Sequence, residues 1–364
     1  MTAVACPRLC LLSAALFLVA AFSAPAGAEP YFAVMTGNKC SACHVNQTGG
    51  GMRTAYGDAF GQVTMPVRVP EDGFWDGEVM EYLTIGANFR GDFTHTRVPN
   101  QGNDTEFDVQ EGRLYVAVPL LKDRLTFYLD QQVSPSSDNR EAFALLYFWD
   151  RKAYVKAGQI YLPFGLRLED DTEFIRSVVG INMNSPDDGV EAGVELGPAS
   201  VQLAISNGGA GGAETDDGKQ YSLLASYVQN IWQLGVSVNY NDADAGDRFV
   251  TGGFAGLRTG PISWLGEVDY IDDDSLGPSG RKQWVGFAEG NWLITKGHNL
   301  KLTYGGFDPD DDVSDDEQTR VSVVYEYFPF SYTQLRAGAR FRDGISQNDQ
   351  QNSDLYFLQL NIYF

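Results

Sequence analysis

The chain has 364 residues, with 26 Lys+Arg against 48 Asp+Glu and a formal charge of −22, a balance that excludes a nucleic-acid-binding surface or one that seeks anionic lipid. Aromatic residues make up 13% of the chain, with 22 Phe, 18 Tyr and 40 Gly. That is too much apolar surface for a disordered chain.

Residues 1–28 read as an export signal: Arg8, an apolar run from Leu9 to Phe22, then Ala26-Gly27-Ala28 before Glu29. Cys6 and Cys10 leave with it, and Cys10 precedes the apolar run, which is not the placement of a lipoprotein cysteine. No later apolar stretch reaches the roughly 18 residues that a membrane helix needs. The expectation is an exported chain without a helical anchor.

The remaining cysteines lie in Cys40-Ser41-Ala42-Cys43-His44, the spacing that attaches c-type haem. Two thiols add across the haem vinyl groups, and the adjacent imidazole reaches the iron as proximal ligand. A redox disulfide or half a zinc site uses the same two cysteines, but zinc needs a second ligand pair that is missing, and a plain disulfide does not call for the histidine. The reading is one covalently bound haem c held by Cys40 and Cys43 with His44 on the iron. For the sixth position Met52 and Met65 rank first because they share the haem segment, ahead of Met35, Met80 and His95. Packing is the alternative for any one methionine, and an open or water-bound position is another. The segment 29–75 is about 45 residues long, near the size at which a domain needs a cofactor or a partner to fold.

From about Trp75 onward the texture changes to a period of two. In Trp232-Gln233-Leu234-Gly235-Val236-Ser237-Val238-Asn239-Tyr240 the even positions are apolar and the odd ones polar or small. Leu335, Ala337, Ala339 and Phe341 alternate likewise with Arg336, Gly338, Arg340 and Arg342, as do Leu83, Ile85, Ala87 and Phe89 with Thr84, Gly86, Asn88 and Arg90. Sixteen strand-like segments begin near residues 79, 106, 124, 140, 152, 189, 199, 219, 231, 247, 261, 282, 299, 319, 332 and 354. Connections after odd-numbered strands are mostly long or acidic (99–104, 134–138, 162–188, 208–218, 242–247, 272–280, 308–318 and 344–352), whereas those after even-numbered strands are brief, such as 122–124, 150–151, 197–199 and 260–261. An even strand number with short turns at one end and long loops at the other predicts an all-β, 16-stranded transmembrane antiparallel barrel over 76–364. The last strand, with Tyr356, Leu358, Leu360, Ile362 and terminal Phe364 on one face, resembles the C-terminal signature by which outer-membrane barrels are recognised for assembly.

The stretch Pro30-Tyr31-Phe32-Ala33, Thr36-Gly37, Cys40 to His44 and Tyr56-Gly57-Asp58-Ala59-Phe60 resembles the fused monohaem cytochrome c–porin family, whose members include outer-membrane iron oxidases. Within the barrel, Val155-Lys156-Ala157-Gly158-Gln159, Leu162-Pro163-Phe164-Gly165 and Phe174-Ile175-Arg176 are similar to phosphate-selective porins. Where that cytochrome family carries proline after the haem histidine, this chain has Asn46-Gln47-Thr48-Gly49-Gly50-Gly51-Met52. The resemblance implies an outer-membrane location, with the haem segment periplasmic or inside the lumen, and single-electron transfer between an extracellular donor such as ferrous iron and a periplasmic c-type cytochrome or other soluble carrier. The alternative is a solute or anion-selective porin whose haem is a structural plug or redox gate.

Charge bears on both readings. Asp308, Asp310, Asp311, Asp312, Asp315, Asp316 and Glu317 cluster in one external loop and Asp272, Asp273 and Asp274 in another, where they concentrate divalent cations by a long-range field, bridge lipopolysaccharide and outer-membrane lipid, or are simply solvated. The connection 162–188 is the expected constriction loop, with Arg167, Glu169, Asp170, Asp171 and Arg176 as charge-setting residues. Arg336, Arg340 and Arg342 are expected on the lumen wall, as an anion filter, as holders of haem propionates or as solvated charge. No nucleophile or acid–base group has a recognisable catalytic setting.

Overall fold

The computed structural model describes residues 29–364 apart from positions 70, 72, 122, 123 and 215. The export signal, with Cys6 and Cys10, and most of the turn at 122–124 lie outside the described residues.

A closed antiparallel barrel of sixteen strands forms the body of the molecule. In chain order the strands are β1 (Leu83–Val98), β2 (Gly102–Leu121), β3 (Leu125–Ser134), β4 (Asn139–Phe148), β5 (Ala153–Ile160), β6 (Asp187–Leu196), β7 (Ala199–Ser206) and β8 (Gln220–Gln229). They continue with β9 (Trp232–Asn241), β10 (Arg248–Thr259), β11 (Ile262–Asp273), β12 (Arg281–Thr295), β13 (His298–Asp308), β14 (Gln318–Tyr327), β15 (Thr333–Asp343) and β16 (Asp354–Tyr363). Each pairs with its sequence neighbours, and β16 returns to β1 from Asp354↔Arg97 to Tyr363↔Asn88, which leaves no open edge. A three-residue strand, Glu78–Met80, adds to β1 as the chain enters the wall.

The burial pattern is that of a barrel in lipid. Along β9, Trp232, Leu234 and Val236 are exposed while Gln233, Ser237 and Asn239 are buried. A water-soluble sandwich buries its apolar face; here the apolar face points out and the polar face points into the lumen, as a bilayer requires. No helix among the described residues is long and apolar enough to cross a membrane.

Fourteen of the expected strand starts fall within two residues of the observed ones; the first is Leu83 instead of 79, and the second Gly102 instead of 106. The expected loop at 99–104 is a tight turn at 99–101, because β1 and β2 keep pairing as far as Val98↔Gly102. Residues 102–107 are exposed on both faces, so this hairpin runs past the apolar belt, and backbone pairing, which needs no apolar face, carries it.

The N-terminal segment lies against the inner wall at the short-turn end. It comprises α1 (Pro30–Thr36), α2 (Cys40–Cys43), and α3 (Ala55–Ala59), which runs on into a π-turn over Phe60–Thr64. Pro30 starts α1 at a position that needs no N–H, and Gly37 ends it at φ 70°. Tyr31 donates to Glu326 Oε2 on β14 at 2.8 Å, Glu29 pairs with Lys301 on β13 at 2.8 Å, and Arg258 on β10 donates to the Met35 carbonyl at 2.6 Å. The segment leaves along the β14–β15 turn, where Val67 N–H donates to the Phe328 carbonyl at 2.9 Å.

From the opposite end the connection 161–186 folds inward. Gly165 N–H donates to Ser237 Oγ at 2.8 Å and Leu166 N–H to Glu267 Oε2 at 2.7 Å. Arg176, on the short helix α4 (Phe174–Ser177), donates to the Leu168 and Glu169 carbonyls. Tyr31 and Val34 of α1 pack with Phe164, Leu166, Leu168, Ile175 and Leu265 into one apolar core between segment, loop and wall.

Candidate functional site

The site grows from the local structure of residues 39–53. His44 N–H closes the single turn of α2 onto the Cys40 carbonyl at 3.0 Å, so Cys40, Cys43 and His44 share one compact unit. After His44 the chain reverses through Gly49, Gly50 and Gly51, at φ of 91°, 83° and 64°, and returns so that His44 and Arg53 face one another as a bridge. Left-handed backbone at three successive positions is cheap only for glycine. The reversal is held by the Val45 N–H to Met52 carbonyl bond at 3.0 Å and the Thr54 N–H to Cys43 carbonyl bond at 2.9 Å, and Thr54 Oγ1 donates to the Ala42 carbonyl at 2.7 Å.

The wall fixes this unit from below and beside. Asn46 is fully buried, donates to Glu141 on β4 at 2.7 Å and accepts from Lys156 on β5 at 3.1 Å. Gln47 donates to Tyr147 Oη at 2.6 Å, and Met52 N–H donates to Tyr128 Oη at 2.8 Å. The Asn46-Gln47 dipeptide that follows the histidine is therefore an anchor to the barrel.

Cys40, Cys43, His44 and Met65 line one cavity, together with Phe32, Phe60, Leu224, Phe254, Phe328 and Tyr363. Both cysteines carry free thiols. Cys40 is exposed, but to this cavity inside the barrel. Burial pushes both thiols up, Cys43 to about 11; a protonated pair lacks the low-pKa thiolate of a redox-active Cys-x-x-Cys. Burial pushes the His44 imidazole down to about 3, helped by Arg53 and opposed by the Gly51 and Gly50 carbonyls, and its Nδ1 has no hydrogen-bond partner. A neutral imidazole has a nitrogen lone pair free for a metal.

Met65 is 3% exposed, on the cavity wall. Met52, also 3% exposed, packs elsewhere, in a second apolar core with Tyr115, Tyr128, Phe143 and Leu145. The structure thus brings Met65 and not Met52 into one cavity with His44. His95, on β1 beyond the belt, is bonded to Thr105 at 2.8 Å.

Leu168, Glu169, Asp170, Asp171 and Glu173 of the inward loop face a second cavity lined by charged residues, whereas Gly165, Leu166 and Arg167 line the first. The loop is the partition between them, and Glu29 touches both. Eight carboxylates and four cations (Arg90, Lys301, Arg336 and Arg340) line the second cavity, so it attracts cations. Arg336 pairs with Glu326 at 3.2 Å, Arg320 with Glu173 at 2.8 Å, and Asp170 sits between Arg320 and Arg340. Burial pushes the Asp170 carboxyl up, but those two guanidinium groups win and hold it well below the usual carboxylate range. Arg336 and Arg340 are thus neither propionate holders in the first cavity nor an open anion filter; Arg342 lines neither cavity. Among the external acids, Asp310, Asp311 and Asp312 bring carboxylate oxygens within 4.8 Å of one another.

Sequence reasoning missed the cavity wall. Leu224 and Val228 on β8 and Val250 and Phe254 on β10 are apolar residues in inward rows that are otherwise polar or glycine. That interruption of the alternation is the signal that marks the apolar stretch of the lumen wall.

No protein-family model and no curated relative matches this sequence. Solved structures do match in fold. OmpT of Vibrio cholerae, an outer membrane protein in its trimer form, is 10% identical at a TM-score of 0.61 over 78% of this chain and 100% of its own. The anion-selective porin from Comamonas acidovorans is 10% identical at 0.62, over 78% and 99%. OprB of Pseudomonas putida is 9% identical at 0.60, over 78% and 94%. The chain has the porin-like barrel fold of outer-membrane channels.

Proposed function

We propose that this porin-like barrel sits in the bacterial outer membrane, carries one covalent haem c in the cavity beside the inward loop, and passes single electrons between an extracellular donor and a periplasmic cytochrome. The observation that carries the reading is the convergence of Cys40, Cys43 and His44 on one largely apolar cavity within a transmembrane wall. Haem, when bound, supplies one-electron redox chemistry, with a potential set by its ligands and its burial.

Three features of the chain support the fit. The cavity is lined largely by apolar side chains, Phe32, Phe60, Leu224, Phe254 and Phe328 among them, with a few polar groups, the surround that suits a large apolar group. The two thiols are unpaired, and burial keeps the imidazole neutral beside them. The His44 ring lies within reach of the Gly50 and Gly51 carbonyls, the kind of outer acceptor that orients a ligating histidine. In this reading Cys40 and Cys43 would attach the group, His44 would bind its iron, and Met65, on the same cavity wall, is the candidate for a second protein ligand.

The apolar belt of such a barrel is about 25 Å tall, and electrons do not tunnel usefully across lipid of that thickness. A redox centre part-way across shortens the jump, and residues 29–75 hold the cavity within the wall. The acidic outer cavity favours a cationic donor such as ferrous iron. The test is stopped-flow addition of ferrous iron to the purified barrel: haem reduction in step with iron is expected, and reduction by dithionite but not by iron would move the donor elsewhere.

A second reading is favoured by the fold neighbours, which are channels. In it the barrel conducts solutes and the haem segment is a fixed plug or gate. It predicts ion conductance through the wild-type barrel and slow haem reduction by external donors.

A further inference from the structure

The haem cavity contains three cations, and they differ in what they hold. Lys39 is committed: it pairs with Glu195 and donates to the Ala199 carbonyl at 2.8 Å. Arg53 and Arg167 have no carboxylate within ion-pair distance among the described residues. Arg53 lies over the Tyr363 ring at 4.9 Å, and Arg167 over the Tyr161 ring at 5.1 Å. Arg167 donates from Nη2 to the Leu162 carbonyl at 3.0 Å, while its Nη1 is buried without a partner. A buried donor left unpaired is costly.

These two side chains come from opposite sides of the cavity. Arg53 stands across the bridge from His44 in the N-terminal segment, whereas Arg167 belongs to the inward loop, with its Cδ against the Gly50 turn. Neighbouring backbone bonds from Gly165 to Ser237 and from Leu166 to Glu267 fix that part of the loop. The one acid on the opposite rim, Glu29, is already occupied by Lys301 and Arg336. The cavity therefore holds two guanidinium groups with no carboxylate in ion-pair contact among the described residues, Arg53 feeling Asp58 and Arg167 feeling Glu141 only at longer range, and its charge complement is a dianion with a large apolar body.

We infer that Arg53 and Arg167 are the positioning cations for the two carboxylates of the bound tetrapyrrole, one supplied by the segment and one by the loop. The inference rests on the haem reading above and adds a division of labour: the cysteines attach the group, and the constriction loop closes on it with charge. Its consequence is electrostatic. A fixed cation beside the group favours the reduced state, so removing it lowers the reduced fraction at a given ambient potential.

The test uses the full-length barrel matured with haem, comparing wild type with Arg167→Gln, Arg53→Gln and Arg167→Lys. The readouts are covalent haem content, resonance Raman bands of the propionate groups, and spectroelectrochemical titration. In each glutamine variant the reduced-to-oxidised ratio is expected to fall about tenfold at fixed potential, equivalent to about 59 mV for one electron, with displaced propionate bands. Arg167→Lys keeps the charge and is expected to restore most of the ratio. Heat-modifiable migration on gels verifies that each variant barrel is folded, and Arg167→Lys serves where a glutamine variant fails to assemble. A full haem complement with unmoved bands and ratio in both glutamine variants would overturn the inference and leave the haem reading standing. A wild-type barrel without covalent haem would overturn both.

Discussion

At the residue scale the two methionines separate the candidate ligands. Both are nearly fully buried, and both lie in the segment that carries the haem motif; only the fold distinguishes them, because Met52 turns into the wall cluster and Met65 caps the π-turn on the cavity side. Met65→Ala is expected to lower the haem potential and change the visible spectrum, since thioether ligation raises the potential relative to other axial ligands. Met52→Ala is expected to leave the spectrum in place while destabilising the segment by about 2–5 kcal/mol through a cavity. Spectroelectrochemistry of the two variants checks this, and the reverse pattern would reassign the ligand. The Cys40, Cys43 and His44 unit could be singled out from spacing alone because its residues are neighbours in the chain. Tyr363 and Arg53 could not, because their role depends on which residues the closed barrel brings opposite them.

At the element scale the glycine turn after His44 is a tight joint. At Gly51 φ is 64° and an added Cβ would meet Tyr128 Oη at 2.3 Å. Gly51→Ala is therefore expected to cost about 1–3 kcal/mol of segment docking, seen as faster hydrogen exchange over 44–53. Asp58 in α3 gives the segment a pH dependence. Burial pushes its carboxyl up to about 6 against Arg53, which lowers it. The folded form thus binds a proton that the unfolded form, titrating near 3.8, does not. Docking is strongest below about pH 4 and weakens as the pH rises to about 6, by roughly 3 kcal/mol in all. The difference between wild type and Asp58→Asn, followed by hydrogen exchange from pH 4 to 7, isolates this contribution from that of His44; equal slopes would contradict it. The strands themselves were legible, since period two with turn residues between is a short-range pattern. The first hairpin was misjudged because its outer part has no apolar face to mark where pairing ends.

For the whole molecule, the alternation of apolar and polar residues sets which side faces lipid, and the loop partition sets what reaches the cavity that Cys40, Cys43 and His44 line. The count of strands, the closure and the long loop after β5 were all readable from chain order and connection length. What lay beyond the sequence was the division of the lumen into a largely apolar cavity and an acidic one, since it arises from residues 29–75 and 161–186 meeting in space. That division makes a prediction about conductance. Any current through the wild-type barrel is expected to prefer cations, given eight carboxylates against four cations in the outer cavity, and deletion of residues 29–75 is expected to raise the conductance severalfold. Reversal potentials in planar bilayers check both, and an anion preference would contradict the charge assignment.

The most direct measurement is a visible spectrum with pyridine haemochrome quantification on the barrel purified from outer membranes of a host competent in cytochrome c maturation, beside a Cys40→Ser, Cys43→Ser variant. The account predicts a c-type spectrum with one haem per wild-type chain and none retained on the variant after denaturation. A colourless wild-type barrel would contradict it and leave a porin-like channel whose lumen segment carries no redox centre.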